Sequence, residues 1–294
     1  MSLLNVIAGE KRIDDIELRT ITVVGYMGTG KTTLVRHLIA RAYKHLKQNG
    51  IKDREILALH FYRANIRGII SYLRNNYDLQ GLKYLYLIND DAAYTNISRR
   101  SSSGINVEDA RQYIIIRHKL AELGFKGVLI VFHLTQLYYL LDKVLRDSHV
   151  LIFKSMSRDS TERKTLAMLL GRHYYKILKL ITDKIMSGNK KELEEALSKA
   201  VVMIGTRKIL YEFKKEDPPG SIYKEIGQQE IADALSIRFT VEEISTMLRS
   251  CGIRFDQKYV YDFVKMLNLG ITRKLVGDFD LDEVISEILE KEVI

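Results

Sequence analysis

Short apolar segments alternate with amphipathic ones along the first two-thirds of the chain. Segments rich in β-branched and aliphatic residues predict strands at 20–24, 55–61, 83–88, 127–132 and 149–153. Apolar residues spaced three and four apart predict helices at 32–48, 65–75, 107–123 and 136–145. Because a parallel strand pair needs a crossover that covers the sheet, this alternation predicts an α/β fold: a mainly parallel sheet with helices on both faces.

The pattern changes after residue 155. A long helix is expected at 161–186, a charged helix at 190–199 and a hairpin at 201–213, and Asp217-Pro218-Pro219-Gly220 then interrupts regular structure. We therefore predict a first domain at 1–216 and a small helical domain at 221–294. Within the second, segments 241–249 and 256–267 flank Gly252 with the proportions of a helix-turn-helix.

One loop in the first domain has a strong chemical signature. Residues 25–32 read Gly-Tyr-Met-Gly-Thr-Gly-Lys-Thr and fit G-x-x-x-x-G-K-[ST] at every fixed position, between a predicted strand and a predicted helix. Glycines let backbone N–H groups surround a phosphate, a lysine reaches the β- and γ-phosphates, and a threonine hydroxyl binds Mg²⁺. The residues expected to bind the nucleotide, ATP by default, are Gly25, Tyr26, Met27, Gly28, Thr29, Gly30, Lys31, Thr32 and Thr33.

A phosphate loop of this kind works with an acid at the end of a neighbouring strand. The strand at 83–88 runs into Asn89, Asp90 and Asp91. We expect Asp90 to hold Mg²⁺ and Asp91 to orient and deprotonate the attacking water. The competing interpretation is a carboxylate pair that caps a turn after a buried strand.

The strand at 127–132 also leads to polar residues, Thr135 and Gln136. In an open α/β sheet the ligand crevice lies at the carboxyl ends of the strands, so Gln136 is expected near the γ-phosphate and its attacking water. The alternative is that both residues simply begin the next helix.

In this order, the parts resemble the HerA/FtsK superfamily of DNA-pumping ATPases, which includes conjugative coupling proteins and viral genome-packaging ATPases. The similarity covers about 21–155. It implies a ring hexamer in which Lys31, Asp91 and Gln136 act in one subunit and an arginine enters from the neighbour, with Arg117 ahead of Arg146 as candidate. Asp91 departs from the family pattern, which has glutamate there.

The charge and composition of the chain limit the classes of partner that it is expected to bind. The formal net charge is +9, and residues 1–220 carry +14 while 221–294 carry −5. Such a balance favours polyanions, and we expect DNA contacts in a basic insert and in the helix-turn-helix, at Arg99, Arg100, Arg254 and Lys258. A single cysteine excludes a disulfide framework. No apolar run reaches membrane-span length and no signal peptide is evident, so a cytoplasmic protein without membrane contact is expected.

Two functions of different classes remain open from the sequence. The first is a Mg-ATP-driven motor that translocates or packages DNA. The second is an ATP-switched DNA-binding or replication-initiation factor, in which the phosphate loop controls assembly and the helix-turn-helix tail reads a sequence.

Overall fold

The computed structural model of the chain describes residues 2–11, 15–62, 64, 66–90, 116–140, 146, 148–187, 189–227 and 230–231. The strands are β1 Glu17–Val24, β2 Ile56–Tyr62, β3 Tyr84–Asp90, β4 Val128–Thr135, β5 Val150–Phe153, β6 Lys199–Ile204, β7 Arg207–Glu212 and β8 Tyr223–Ile226. The helices are α1 Leu3–Ala8, α2 Lys31–Gln48, α3 Ile66–Asn76, α4 Ser160–Met186 and α5 Lys190–Leu197, with 3₁₀ turns at Asp53–Glu55 and Tyr138–Leu140. Residues 116–122 are also helical.

The described strands form one eight-stranded sheet in the order β7-β6-β5-β1-β4-β3-β2-β8. Every pairing from β5 across to β8 is parallel, and the β6–β7 hairpin joins β5 antiparallel. The predicted α/β fold with a mainly parallel sheet is confirmed. Strand β4 lies between β1 and β3, so the end of β4 separates the loop that follows β1 from the acid that ends β3.

Both faces of the sheet are covered. On one face, alternate residues of the central strands, such as Ala58, Tyr86 and Ile130, share a core with Leu34 and Leu38 of α2. The residues between them in sequence are also buried, and on the second face Tyr138 packs edge-on against Phe153. Burial on both faces explains why the strands read as continuous apolar runs in the sequence.

Helix α1 was not anticipated from the sequence, and buried polar groups anchor it. The guanidinium of Arg19, only 5% exposed, donates to the carbonyls of Asn5, Val6, Gly9 and Glu10 around the helix end. The Tyr86 hydroxyl donates to the Ile7 carbonyl at 2.7 Å. A cation at a helix C-terminus satisfies carbonyls that have no partner within the helix.

Two predicted helices differ from expectation. The helix expected at 136–145 begins as the 3₁₀ turn Tyr138–Leu140 in the described residues, with residues 141–145 outside them. The long helix α4 is broken at Gly171, whose φ of 72° and ψ of 169° are not helical. Gly171 tolerates this positive φ because it has no Cβ.

The chain divides into two compact units, Met1–Ile66 with Tyr77–Ile226, and Arg67–Asn76 with Gly227–Ile294. Strand β8 belongs to the first unit and pairs with β2. The opening residues of the helical domain expected at 221–294 are therefore part of the sheet. Residues 232–294, including the expected helix-turn-helix, lie outside the described residues. None of the described helices has the length and apolarity needed to span a bilayer.

Candidate nucleotide-binding site

The loop between β1 and α2 has the backbone that a phosphate cradle needs. Helix α2 begins at Lys31, and Gly30 at its N-cap has a φ of 78°. Gly30 reaches this left-handed conformation without the strain that a Cβ brings, so the first N–H groups of α2 face the loop. A helix N-terminus of this kind offers N–H groups that suit an anion, and phosphate binding here stays a prediction.

Close packing fixes the start of the loop. The Gly25 N–H donates to the carbonyl of Thr135 at 3.0 Å, which joins the loop to the end of β4. A Cβ on Gly25 would lie 2.8 Å from Thr29 Oγ1 and 2.9 Å from Lys154 Cβ. Only glycine fits there without displacing its neighbours, because real Cβ contacts are longer than these. Thr29 is buried, and its hydroxyl donates to the Tyr26 carbonyl at 2.8 Å.

Lys31 lies over the loop. Its ammonium donates to the carbonyls of Gly25 and Tyr26 at 2.7 and 2.9 Å. These bonds direct the side chain back along the loop. The position suits a group that binds the terminal phosphates of a nucleotide.

Thr32 and Asp90 come together as predicted for a magnesium site. The Thr32 hydroxyl donates to Asp90 Oδ2 at 3.1 Å, across 58 residues of sequence. Burial works to raise the pKa of Asp90, but contacts with His60, Thr32 and Lys31 outweigh it and hold the pKa below the usual value. Asp90 is thus an anion at neutral pH. A hydroxyl and a carboxylate oxygen are donors that Mg²⁺ accepts, so this pair fits the metal. The described residues contain no cluster of three or more His, Cys, Asp or Glu that suggests a different metal site.

Gln136 follows the last residue of β4 and is half-buried. The Gly25–Thr135 hydrogen bond places it immediately beyond the start of the loop. The backbone after it is held by Glu162 of α4, whose buried carboxylate accepts from the N–H groups of Tyr138 and Tyr139, both at 3.1 Å. Burial raises the pKa of Glu162, and the two N–H donors oppose that rise.

The turn after β5 contacts the other side of the loop. Ser155 Oγ accepts from the Tyr26 N–H at 2.9 Å, and the Tyr26 hydroxyl donates to Ser157 Oγ at 3.2 Å. The same hydroxyl accepts from the Arg158 N–H at 2.9 Å. Met27, beside Tyr26, projects from the loop and is 79% exposed.

Lys154 follows the last residue of β5 and is fully buried beneath the loop. Its ammonium donates to the carbonyls of Leu197 and Lys199 and lies 4.7 Å from the centre of the Phe213 ring. Burial lowers the pKa of Lys154 to about 7. Lys154 was not singled out from the sequence, where it appears as one lysine after an apolar run.

Arg117, the candidate for the arginine that enters from the neighbouring subunit, is not joined to this site within the described residues. Arg117 lies on the helix at 116–122, and no hydrogen bond or ion pair connects it to the loop within the described part of the chain. The other predicted catalytic and DNA-binding residues lie outside the described residues: Asp91, Arg99, Arg100, Arg254 and Lys258. His133 of β4 is fully buried, and burial lowers its pKa to about 3.

No protein-family model and no curated protein sequence matches the chain. Among solved structures, 25 chains match. The genome packaging NTPase B204 from Sulfolobus turreted icosahedral virus 2, in complex with ATP-γS, is 14% identical, with a TM-score of 0.39 over 69% of this chain and 98% of that one. B204 from Sulfolobus turreted icosahedral virus, described as a DNA-packaging ATPase, is 13% identical, with a TM-score of 0.36 over 68% and 98%.

The pCW3 conjugation coupling protein TcpA is also similar, at 13% identity and a TM-score of 0.39, over 68% of this chain and 61% of that one. The matches thus include a viral genome-packaging NTPase and a conjugation coupling protein. At these identities and TM-scores they assign no activity to this chain. Its own sheet order and loop geometry give it a P-loop NTPase fold.

Proposed function

We propose that the protein is a magnesium-dependent ATP hydrolase that translocates or packages duplex DNA as a ring of identical subunits. The observation that carries the hydrolase part is the meeting of Lys31, Thr32 and Asp90 at one edge of the sheet. Thr32 donates to Asp90 at 3.1 Å, and Lys31 lies over the glycine-rich loop that leads to them.

Each residue then has a distinct role. The loop N–H groups and Lys31 bind the β- and γ-phosphates. Thr32 and Asp90 hold Mg²⁺, which when bound neutralises charge that develops on the phosphate oxygens. Gln136, at the end of the strand between the loop and Asp90, orients the attacking water, and Asp91 accepts its proton.

DNA as the polymer rests on the charge and on the sequence resemblance. Residues 1–220 carry +14, which attracts a phosphate backbone without selecting a sequence. In such a motor the basic insert with Arg99 and Arg100 contacts DNA, and an arginine from the neighbouring subunit, Arg117 in this proposal, completes the nucleotide site.

The test is steady-state ATP hydrolysis by the full chain with and without linear duplex DNA. We expect duplexes of unrelated sequence to stimulate hydrolysis several-fold, and Lys31→Ala to abolish it. The matched control is Lys47→Ala, which removes a lysine from the last turn of the same helix, where it pairs with the exposed side of Asp53. Lys47→Ala keeps its activity. ATP binding without turnover, or turnover that ignores DNA, contradicts the motor and favours the ATP-switched DNA-binding factor.

A further inference from the structure

Strand β2 carries a buried histidine, His60, that contacts the proposed magnesium ligand Asp90. His60 is fully buried, and its Nε2 lies 3.4 Å from Asp90 Oδ2. This distance is longer than that of a typical hydrogen bond. Within the described part of the chain, Nε2 has no hydrogen-bond partner. A buried ring nitrogen of this kind needs a polar partner, and Asp90 is the acceptor it faces.

The opposite ring nitrogen of His60 contacts the edge strand β8. Nδ1 lies 2.9 Å from the hydroxyl oxygen of Tyr223. That oxygen also accepts a hydrogen bond from Arg36 Nε at 3.3 Å. Because a guanidinium can only donate, the Tyr223 hydroxyl hydrogen is available for Nδ1. When Nδ1 accepts from Tyr223, the ring N–H is at Nε2 and faces the Asp90 carboxylate.

The contacts therefore close a ring. Thr32 and Arg36 lie one turn apart on α2, and both ends of the ring return to that helix. From Thr32 the contacts pass to Asp90, then to His60, to Tyr223 and back to Arg36. Read from Arg36, each donor faces an acceptor: Arg36 faces Tyr223, Tyr223 faces His60, and His60 faces Asp90.

Strand β8 is tied to α2 by charge as well. Glu225 forms an ion pair with Arg36 and lies 3.8 Å from His60 Nδ1. The guanidinium of Arg36 also lies 5.3 Å from the centre of the Tyr223 ring. Strand β8 ends at Ile226, and the second unit of the chain continues from Gly227. The side chain of Tyr223 in β8 is thus connected through one intermediate residue, His60, to Asp90, the proposed magnesium ligand.

We propose that His60 is a positioning residue of the magnesium site, which orients Asp90 through Nε2 and links the site to β8 through Nδ1. The inference rests on the proposed nucleotide-binding function. Groups that orient a metal-ligating side chain change metal affinity by about 10–100-fold when they are removed, because the ligand then samples other orientations. Binding of metal and nucleotide at Asp90 accordingly changes the contacts of Tyr223. This residue lies at the start of the segment that leads out of the sheet.

The test measures Mn²⁺ binding to the full chain saturated with a non-hydrolysable ATP analogue, by electron paramagnetic resonance of the free ion. We expect His60→Ala to raise the Mn²⁺ dissociation constant about tenfold, and His60→Gln, whose amide can donate to Asp90, to stay within about threefold of the wild type. Affinity for the analogue in EDTA stays unchanged in both. His149→Ala is the matched control, since this histidine precedes β5 at the opposite end of the strands and bonds to Thr20.

Tyr223→Phe tests the second half of the ring and removes a single oxygen from a half-buried position. We expect a rise of about two- to threefold in the Mn²⁺ dissociation constant. Amide hydrogen exchange at 223–226 slows when Mn²⁺ and the analogue bind to the wild type, and this slowing is lost in His60→Ala. If His60→Ala does not fold, Tyr223→Phe and His60→Gln still decide the question.

Three results overturn the inference while leaving the proposed function intact. They are unchanged Mn²⁺ affinity in His60→Ala, an equal loss of analogue affinity in EDTA, or a glutamine variant no better than the alanine variant. A wild-type chain that binds the analogue no better than Lys31→Ala contradicts the proposed function itself, and the inference falls with it.

Discussion

The two sides of the phosphate loop are held in place by different kinds of contact. Towards β5, polar side chains bond to backbone groups: Ser155 to the Tyr26 N–H, Glu162 to the N–H groups of Tyr138 and Tyr139, and Lys154 to two carbonyls. Towards β3 and β8, side chains bond to one another, from Thr32 through Asp90 and His60 to Tyr223. Contacts with the backbone hold a shape, whereas contacts between side chains can transmit a change of orientation. The β5 side is therefore expected to govern stability and the β3 side to govern metal binding.

Glu162→Ala has the largest expected effect on stability. It leaves the N–H groups of Tyr138 and Tyr139 without their acceptor, and each unsatisfied buried donor costs about 1–3 kcal/mol. We expect a loss of about 2–4 kcal/mol in the free energy of unfolding, measured by urea denaturation. Glu162→Gln, which keeps one acceptor oxygen, loses less.

The matched control for Glu162 is Glu122→Ala, which removes an exposed carboxylate paired only with Lys119 among the described residues. Such surface pairs contribute about 0–1 kcal/mol, so this variant stays close to the wild type. Equal losses for the buried and the exposed glutamate would contradict the assignment of a structural role to the β5 side.

Lys154→Met is expected to change how stability depends on pH. Burial lowers the pKa of Lys154 to about 7, below its value of 10.5 in the unfolded chain. Between these values the unfolded chain binds the proton and the folded chain does not, so raising the pH favours folding. Relative to the methionine variant, the wild type gains about 1.4 kcal/mol per pH unit above pH 7.

The measurement is urea denaturation of both proteins at pH 7, 8 and 9. Methionine fills a similar volume without a titrating group, so the difference between the two curves isolates Lys154. Parallel curves, or a wild type that loses stability relative to the methionine variant as pH rises, would show that the ammonium stays protonated in the folded protein.

The smallest expected effect comes from a matched pair of tyrosines. Tyr26→Phe removes a hydroxyl that bonds to Ser157 and to the Arg158 N–H, and we expect it to lower the free energy of unfolding by about 1 kcal/mol. Its Mn²⁺ affinity stays at the wild-type value, whereas Tyr223→Phe weakens Mn²⁺ binding. If both variants shift Mn²⁺ affinity alike, the two sides of the loop do not differ in the way described.

Much of the candidate site could be predicted from local patterns in the sequence. The phosphate loop is contiguous, and Asp90 ends an apolar strand, so both could be recognised from neighbouring residues. The position of β4 between β1 and β3 could not be recognised from neighbouring residues, because strand order depends on contacts between distant segments. It is that order which puts Gln136 beside the loop.

His60 and Lys154 were missed for a related reason. His60 is one polar residue within an apolar strand and Lys154 directly follows one, and their partners lie far away in sequence, such as Tyr223, 163 residues from His60. Strand β8 was missed because Tyr-Lys-Glu-Ile is short and half charged, and it follows a Pro-Pro-Gly breaker. Its Glu225 pairs with Arg36 on a helix that is distant in sequence.

The late position of β8 in the chain also bears on how the protein is made. Residues 223–226 pair with 58–61, so the outer edge of β2 has no partner strand until nearly the whole sheet has left the ribosome. Contacts of such wide sequence separation form slowly, and an unpaired parallel edge is prone to join another chain. A nascent chain that stops before residue 223 exposes that edge together with the buried ring of His60. Synthesis of β8 therefore has two effects. It pairs the outer edge of β2, which protects that edge from aggregation, and it completes the surroundings of Asp90.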